Sequence, residues 1–116
     1  MKFMVSLITD GTWMEKATPE QMEEMGTRMS KLMSDLGDAG VLADPGGALA
    51  PSAIARTLRY GEDGRPVVTD GPFAETKEQI AGYMVLECDD IDEAVGWLKK
   101  MPVRQSSLEI RPIAQP

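Results

Sequence analysis

The sequence predicts an α+β domain, a ferredoxin-like split βαβ subunit with both helices on one face of an antiparallel sheet. Three observations predict it. Strand-like and helix-like periodicities follow one another in the order strand, helix, hairpin, strand, helix, strand. Each helix confines its apolar residues to one stripe, so each can cover a sheet but not be buried all round. The chain has 116 residues, of which 42% are hydrophobic, enough for one core and too few for two domains. One domain over residues 1–116 is expected, with a radius of gyration of about 13 Å if it folds compactly.

Residues 2–8 alternate, Phe3, Val5 and Leu7 against Met4, Ser6 and Ile8, which is the period of a strand. Thr18 precedes Pro19, with Gln21 three residues on, so an N-cap hydroxyl, a proline at the first helical position and a capping-box partner start a helix. Its Met22, Met25, Met29, Leu32, Met33 and Leu36 fall within an arc of about 100°. Core packing against a sheet explains that stripe better than an adaptable partner surface does. Gly37 and Gly40 are expected to supply left-handed conformations at its end. From Val41 to Pro51, Pro45-Gly46-Gly47 interrupts regular structure and leaves short extended pieces. No strand-to-helix glycine pattern follows, so this is no phosphate loop.

Residues 54–60 and 65–69 flank Gly61-Glu62-Asp63-Gly64 and read as a hairpin. Ile80 to Cys88 is a further strand, Met84, Leu86 and Cys88 alternating against Tyr83, Val85 and Glu87. Asp90 with Glu93 starts a second helix carrying Ile91, Ala94, Val95, Leu98 and Met101 on one face, ending before Pro102. Leu108 and Ile110 belong to a last strand, closed by Pro112.

Composition removes much of the catalytic repertoire. There is no histidine and one cysteine, Cys88, which excludes an internal disulfide, a histidine triad and zinc sites built on His or paired Cys. Cys88 stands among carboxylates, the wrong setting for a reactive thiolate, and reads as packing. The run Glu87, Asp89, Asp90, Asp92, Glu93 lacks a calcium-loop pattern and suits a helix start. No metal and no cofactor are expected. Trp97 sits at the border of the second helix's apolar arc and Trp13 in the loop after the first strand, both in structural roles. A net charge of −7 repels phosphate backbones and anionic headgroups, so neither nucleic acid nor membrane is an expected partner. The short apolar start is no signal peptide and no run reaches the length of a membrane span, which makes a cytoplasmic location the expectation.

The segment Asp70-Gly71-Pro72-Phe73-Ala74-Glu75-Thr76-Lys77-Glu78 concentrates chemistry between two strands. Gly71 relieves sterics, Pro72 fixes a dihedral and Phe73 is expected to anchor the loop in apolar surroundings, while three carboxylates, a hydroxyl and an ammonium fall within nine residues. This block is highly specific, and with it the chain resembles the DGPF branch of the YCII-related domain family. Lys2-Phe3-Met4, Thr18-Pro19-Glu20, Gly40-Val41-Leu42, Gly82-Tyr83 and Asp89-Asp90-Ile91-Asp92-Glu93-Ala94 extend the resemblance over nearly the whole chain. The resemblance implies subunits that pair into a dimeric α+β barrel, and genes often found beside extracytoplasmic-function sigma factors. A His–Asp pair has been proposed as the active site in the wider family. With no histidine here, that proposal does not transfer, and Asp70 would act without it.

Three functions follow as expectations. The first is a homodimeric module that binds a small molecule near residues 70–77, through Asp70, Gly71, Pro72, Phe73, Thr76, Lys77 and Arg56, in a regulatory or stress-linked setting. The second is a metal-independent enzyme with Asp70 or Glu75 as general acid or base and Lys77 or Arg56 stabilising negative charge. The third is an adaptor that meets a sigma factor through its acidic surface. A homodimer is expected on physical grounds too, because Met4, Ile8 and Val85 make the second sheet face apolar and so short a chain cannot cover it.

Overall fold

A computed structural model describes residues 1–115. Strand β1 (Lys2–Thr9) is followed by a short helix α1 (Thr12–Lys16), a long helix α2 (Pro19–Asp38) and strand β2 (Leu42–Ala48). The hairpin β3 (Arg56–Tyr60) and β4 (Pro66–Asp70), strand β5 (Gln79–Glu87), helix α3 (Ile91–Leu98) and strand β6 (Ser106–Pro112) complete the chain. Four strands form one antiparallel sheet in the order β2-β5-β1-β6, the ferredoxin-like arrangement, and β3 and β4 pair apart from it.

The strand alternation sets the core. Val5 pairs with Met84 and Ile110, and Phe3 with Leu86, so these side chains share one face of the sheet. Against that face Leu32 and Leu36 of α2 and Ala94 and Leu98 of α3 are buried. Phe3, Leu36 and Leu86 are wholly enclosed, and each such side chain contributes about 1.5–3 kcal/mol over an exposed one. On the other face Met4, Ile8, Tyr83 and Val85 all keep some exposure.

Helix α2 begins with the reciprocal cap its sequence predicts: Gln21 N–H donates to Thr18 Oγ1 at 3.1 Å and Thr18 N–H to Gln21 Oε1 at 2.9 Å. It ends in a Schellman motif, Val41 N–H reaching Leu36 O and Gly40 N–H reaching Gly37 O. Only Gly40 takes a left-handed φ, at 72°; Gly37 lies inside the helix, so one glycine does what two were expected to share. At α3, Asp90 caps Glu93 N–H at 2.9 Å, while Glu93 reaches back to the N–H of Asp89.

Three expectations change. Residues 42–48 form one strand, broken in register on either side of Asp44, because an edge strand tolerates a proline and bulges that a central strand would not. Trp13 lies on α1, a five-residue helix too short to show periodicity, rather than in a loop. The radius of gyration is 16.4 Å, above the value for compact folding, because the molecule is a plate of 47 × 42 × 17 Å with β3 and β4 standing out from it. Among the described residues no helix is long and apolar enough to cross a membrane.

Strand β2 depends on one backbone contact. Gly46 has φ of 60°, and a Cβ there would stand 1.9 Å from the carbonyl oxygen of Tyr83, whereas a Cβ at Gly47 would meet nothing within 4 Å. Gly46→Ala is therefore expected to cost more than about 2 kcal/mol in urea unfolding, and Gly47→Ala less than about 0.5 kcal/mol. Equal effects of the two would remove this contact from the account of the edge.

Candidate functional site

Residues 70–78 leave the end of β4 and return to β5. Asp70 is the last residue of β4 and pairs with Arg56 across the hairpin, Oδ1 to Nε at 3.6 Å. Both side chains are in the open, Arg56 76% and Asp70 92% exposed, so the pair contributes at most about 1 kcal/mol. Gly71 turns the chain with φ of 101°, a conformation that favours glycine. Its N–H donates to Ala55 O at 2.7 Å and its carbonyl accepts from Thr57 Oγ1 at 2.9 Å. Phe73 does not anchor the loop in the apolar surroundings its sequence setting suggests: it is 76% exposed, because the hairpin it packs on stands clear of the core. Its backbone is held instead, Arg59 donating to Phe73 O at 2.6 Å and laying its guanidinium 5.4 Å from the ring centre. A cation–π contact this exposed is worth about 0.5–1 kcal/mol.

The far half of the loop is fastened by Gln79, whose amide donates to Ala74 O and Thr76 O at 2.7 and 3.0 Å. Thr76 turns its hydroxyl inward, donating to Glu78 O. Glu75 and Lys77 project into solvent. Lys77 contributes to the field at Asp10, whose carboxyl is held below the usual range first by the Thr12 N–H at 2.9 Å, next by the Thr12 hydroxyl and last of all by Lys77.

The structure thus brings Asp70 together with Arg56, and Gly71 and Phe73 onto β3. Among the described residues no hydrogen bond or ion pair joins Asp70 to Glu75, Thr76 or Lys77. Sequence reasoning missed Thr57, Arg59 and Gln79. The signal for the first two was there: they alternate on one face of β3 with the spacing of Gly71 and Phe73, the residues they hold.

Other candidates have structural duties. Cys88 is 4% exposed, and burial, then the charges of Glu93 and Asp89, push its thiol pKa up. The carboxylates of Asp90 and Glu93 are occupied with backbone N–H groups at the start of α3. Trp97 packs against the core and carries Lys100 over its ring at 4.8 Å. A half-open apolar cavity of about 250 Å³ lies between α2 and the sheet, and no residue of 70–78 lines it.

A family model described as the YCII-related domain matches residues 1–115. An uncharacterised protein of Rhizobium meliloti (strain 1021) is 32% identical over 117 residues, covering 98% of this chain and 93% of its own.

Two expectations follow from this geometry. Arg59→Ala is expected to raise hydrogen exchange of the Gly71 amide, which donates to Ala55 O, at least tenfold while lowering Tm by only a few degrees; unchanged exchange would take Arg59 out of the loop's support. For Cys88 the sign is fixed by its raised folded-state pKa. The folded chain keeps the thiol proton to higher pH than the unfolded chain, so its contribution is complete below about pH 8.5 and is lost as pH rises through the folded-state value. Unfolding measured from pH 7 to 10 should therefore fall more steeply in the natural protein than in Cys88→Ala, and parallel curves would contradict the assignment.

Proposed function

The chain belongs to the YCII-related domain family, and within it we propose a homodimeric module that binds a small molecule at the 70–78 loop. The observation that carries the reading is exposed area. A folded monomer of 12.6 kDa exposes about 6,200 Å² by the scaling of surface with mass. This subunit exposes 8319 Å², about 2,100 Å² more. A standard interface takes about 800 Å² from each partner, so the excess is ample for a stable pair.

The excess is apolar where it matters. Leu58 and Val68 face one another across the hairpin at 51% and 58% exposure, and Tyr60, on the same face, is more exposed still. A partner seated on the hairpin removes this surface from water and encloses its root, where Asp70 and Arg56 stand. Enclosure strengthens that ion pair as a polar anchor, and Lys77 adds a cation for a ligand of mixed charge. The Asp70-to-Phe73 block supports membership of the DGPF branch, and with it a cytoplasmic, regulatory or stress-linked role beside an extracytoplasmic-function sigma factor. Acid–base work by Asp70 or Glu75 gains no support from this subunit, which leaves both carboxylates in water.

Light scattering at micromolar concentration is expected to give twice the chain mass. The double change Leu58→Asp, Val68→Asp should weaken the pair at least tenfold, and a natural protein that stays monomeric at tens of micromolar would end the proposal. Asp70→Asn is expected to keep Tm within a few degrees. Mass spectrometry of small molecules extracted from the purified natural protein and this variant should recover at least tenfold less ligand from the variant.

A further inference from the structure

Helix α2 lies on the sheet unevenly. Leu32 and Leu36, in its C-terminal half, are buried, whereas Met22, Met25, Met29 and Met33 are only partly covered. Beneath that looser stretch is the cavity of about 250 Å³, floored by Val5, Leu7, Met84 and Leu108 and roofed by Met29 and Met33. The chain has no side chain to fill it. Leu7 faces Gly82 across β1 and β5, and a Cβ at Gly82 would come 3.2 Å from Gly47 O, so a larger residue there must displace β2.

We propose that this cavity is a binding site for a neutral, apolar small molecule of roughly ten heavy atoms, separate from the 70–78 loop. Its size follows from comparison: an apolar cavity of about 150 Å³ takes benzene, and this one is larger by about two thirds. Its chemistry follows from the lining. Charged residues make up 27% of the chain, yet none of the thirteen residues around the cavity is charged, and Tyr83 alone among them has a hydroxyl. A carboxylate or phosphate entering would lose its hydration with no cation to meet it, in a molecule of net charge −7. Four methionines, Met29, Met33, Met84 and Met101, give walls of flexible unbranched side chains that adapt to ligand shape.

The same methionines report on occupancy. With [methyl-13C]methionine, titration by naphthalene is expected to shift the Met29, Met33, Met84 and Met101 methyl signals in a saturable way and leave Met1, Met4 and Met14 unmoved. Naphthalene-2-sulfonate should bind at least tenfold more weakly. Ala48 lies opposite Gly82 at the cavity's edge, and Ala48→Phe should weaken naphthalene binding at least tenfold with the fold retained; Met29→Phe, on the helix, serves if that variant does not fold. The proposal is overturned by the absence of saturable shifts up to the solubility of naphthalene, or by equal binding of the sulfonate. Shifts of these four methyls on dilution alone would also overturn it, by placing a second copy in the cavity. Because these signals are read independently of mass, failure of the homodimer and failure of this site are distinguishable.

Discussion

A sheet has two faces, and this chain has helices for one. Everything else in the structure depends on that constraint. β1, between β5 and β6, is locked in register on both sides, and a shift of one residue would turn Phe3 and Val5 away from the helices. The register therefore fixes at once which residues make the core and which apolar residues are left over. Met4, Ile8, Tyr83 and Val85 are the remainder, and the projecting hairpin adds Leu58, Tyr60 and Val68. A plate 17 Å thick is the geometric result of one helix layer on one sheet.

Within the covered face, stability and binding capacity are divided along α2. Its C-terminal half is sealed by Leu32 and Leu36 and by the Schellman turn that brings Val41 into the core. Its N-terminal half is fastened at the cap instead, where Thr18 and Gln21 satisfy each other's backbone groups without help from the sheet. A helix secured at both ends in different ways can span a cavity without collapsing into it. The glycines on the opposite wall serve the same end: Gly46 lets β2 lie tight against β5, and Gly82 leaves room beside Leu7.

What the sequence discloses is what is local. The β1 alternation, the Thr18-Pro19-x-Gln21 start of α2 and the glycine-flanked hairpin are decided within a few residues, and the structure has them all. α1 has five residues, less than two turns, so no period can appear in it. The Pro45-Gly46-Gly47 stretch reads as a break because its strand character comes from β5 alongside, not from its own residues. For the loop, the residue types were legible but not their partners, since Arg59 and Thr57 reach it across fourteen positions. The cavity left no trace in the sequence, because β1, α2, β2, β5 and β6 each contribute only part of its wall.

The loop's conformation is set without its own free charges. Its bonds run from Gly71 to Ala55 and Thr57, from Arg59 to Phe73 and from Gln79 to Ala74 and Thr76; the carboxylates of Asp70 and Glu75 and the ammonium of Lys77 make none of them. Such a division has a physical consequence. Charges that also hold a loop in shape cannot be lent to a ligand without loosening the loop, whereas charges mounted on a loop already held by other bonds can change partner at little structural cost. The exposed Arg56–Asp70 pair, worth little in water, gains strength only when something excludes the solvent around it. The covering layer that the open sheet face and hairpin lack is thus the same layer that would give these charges their force.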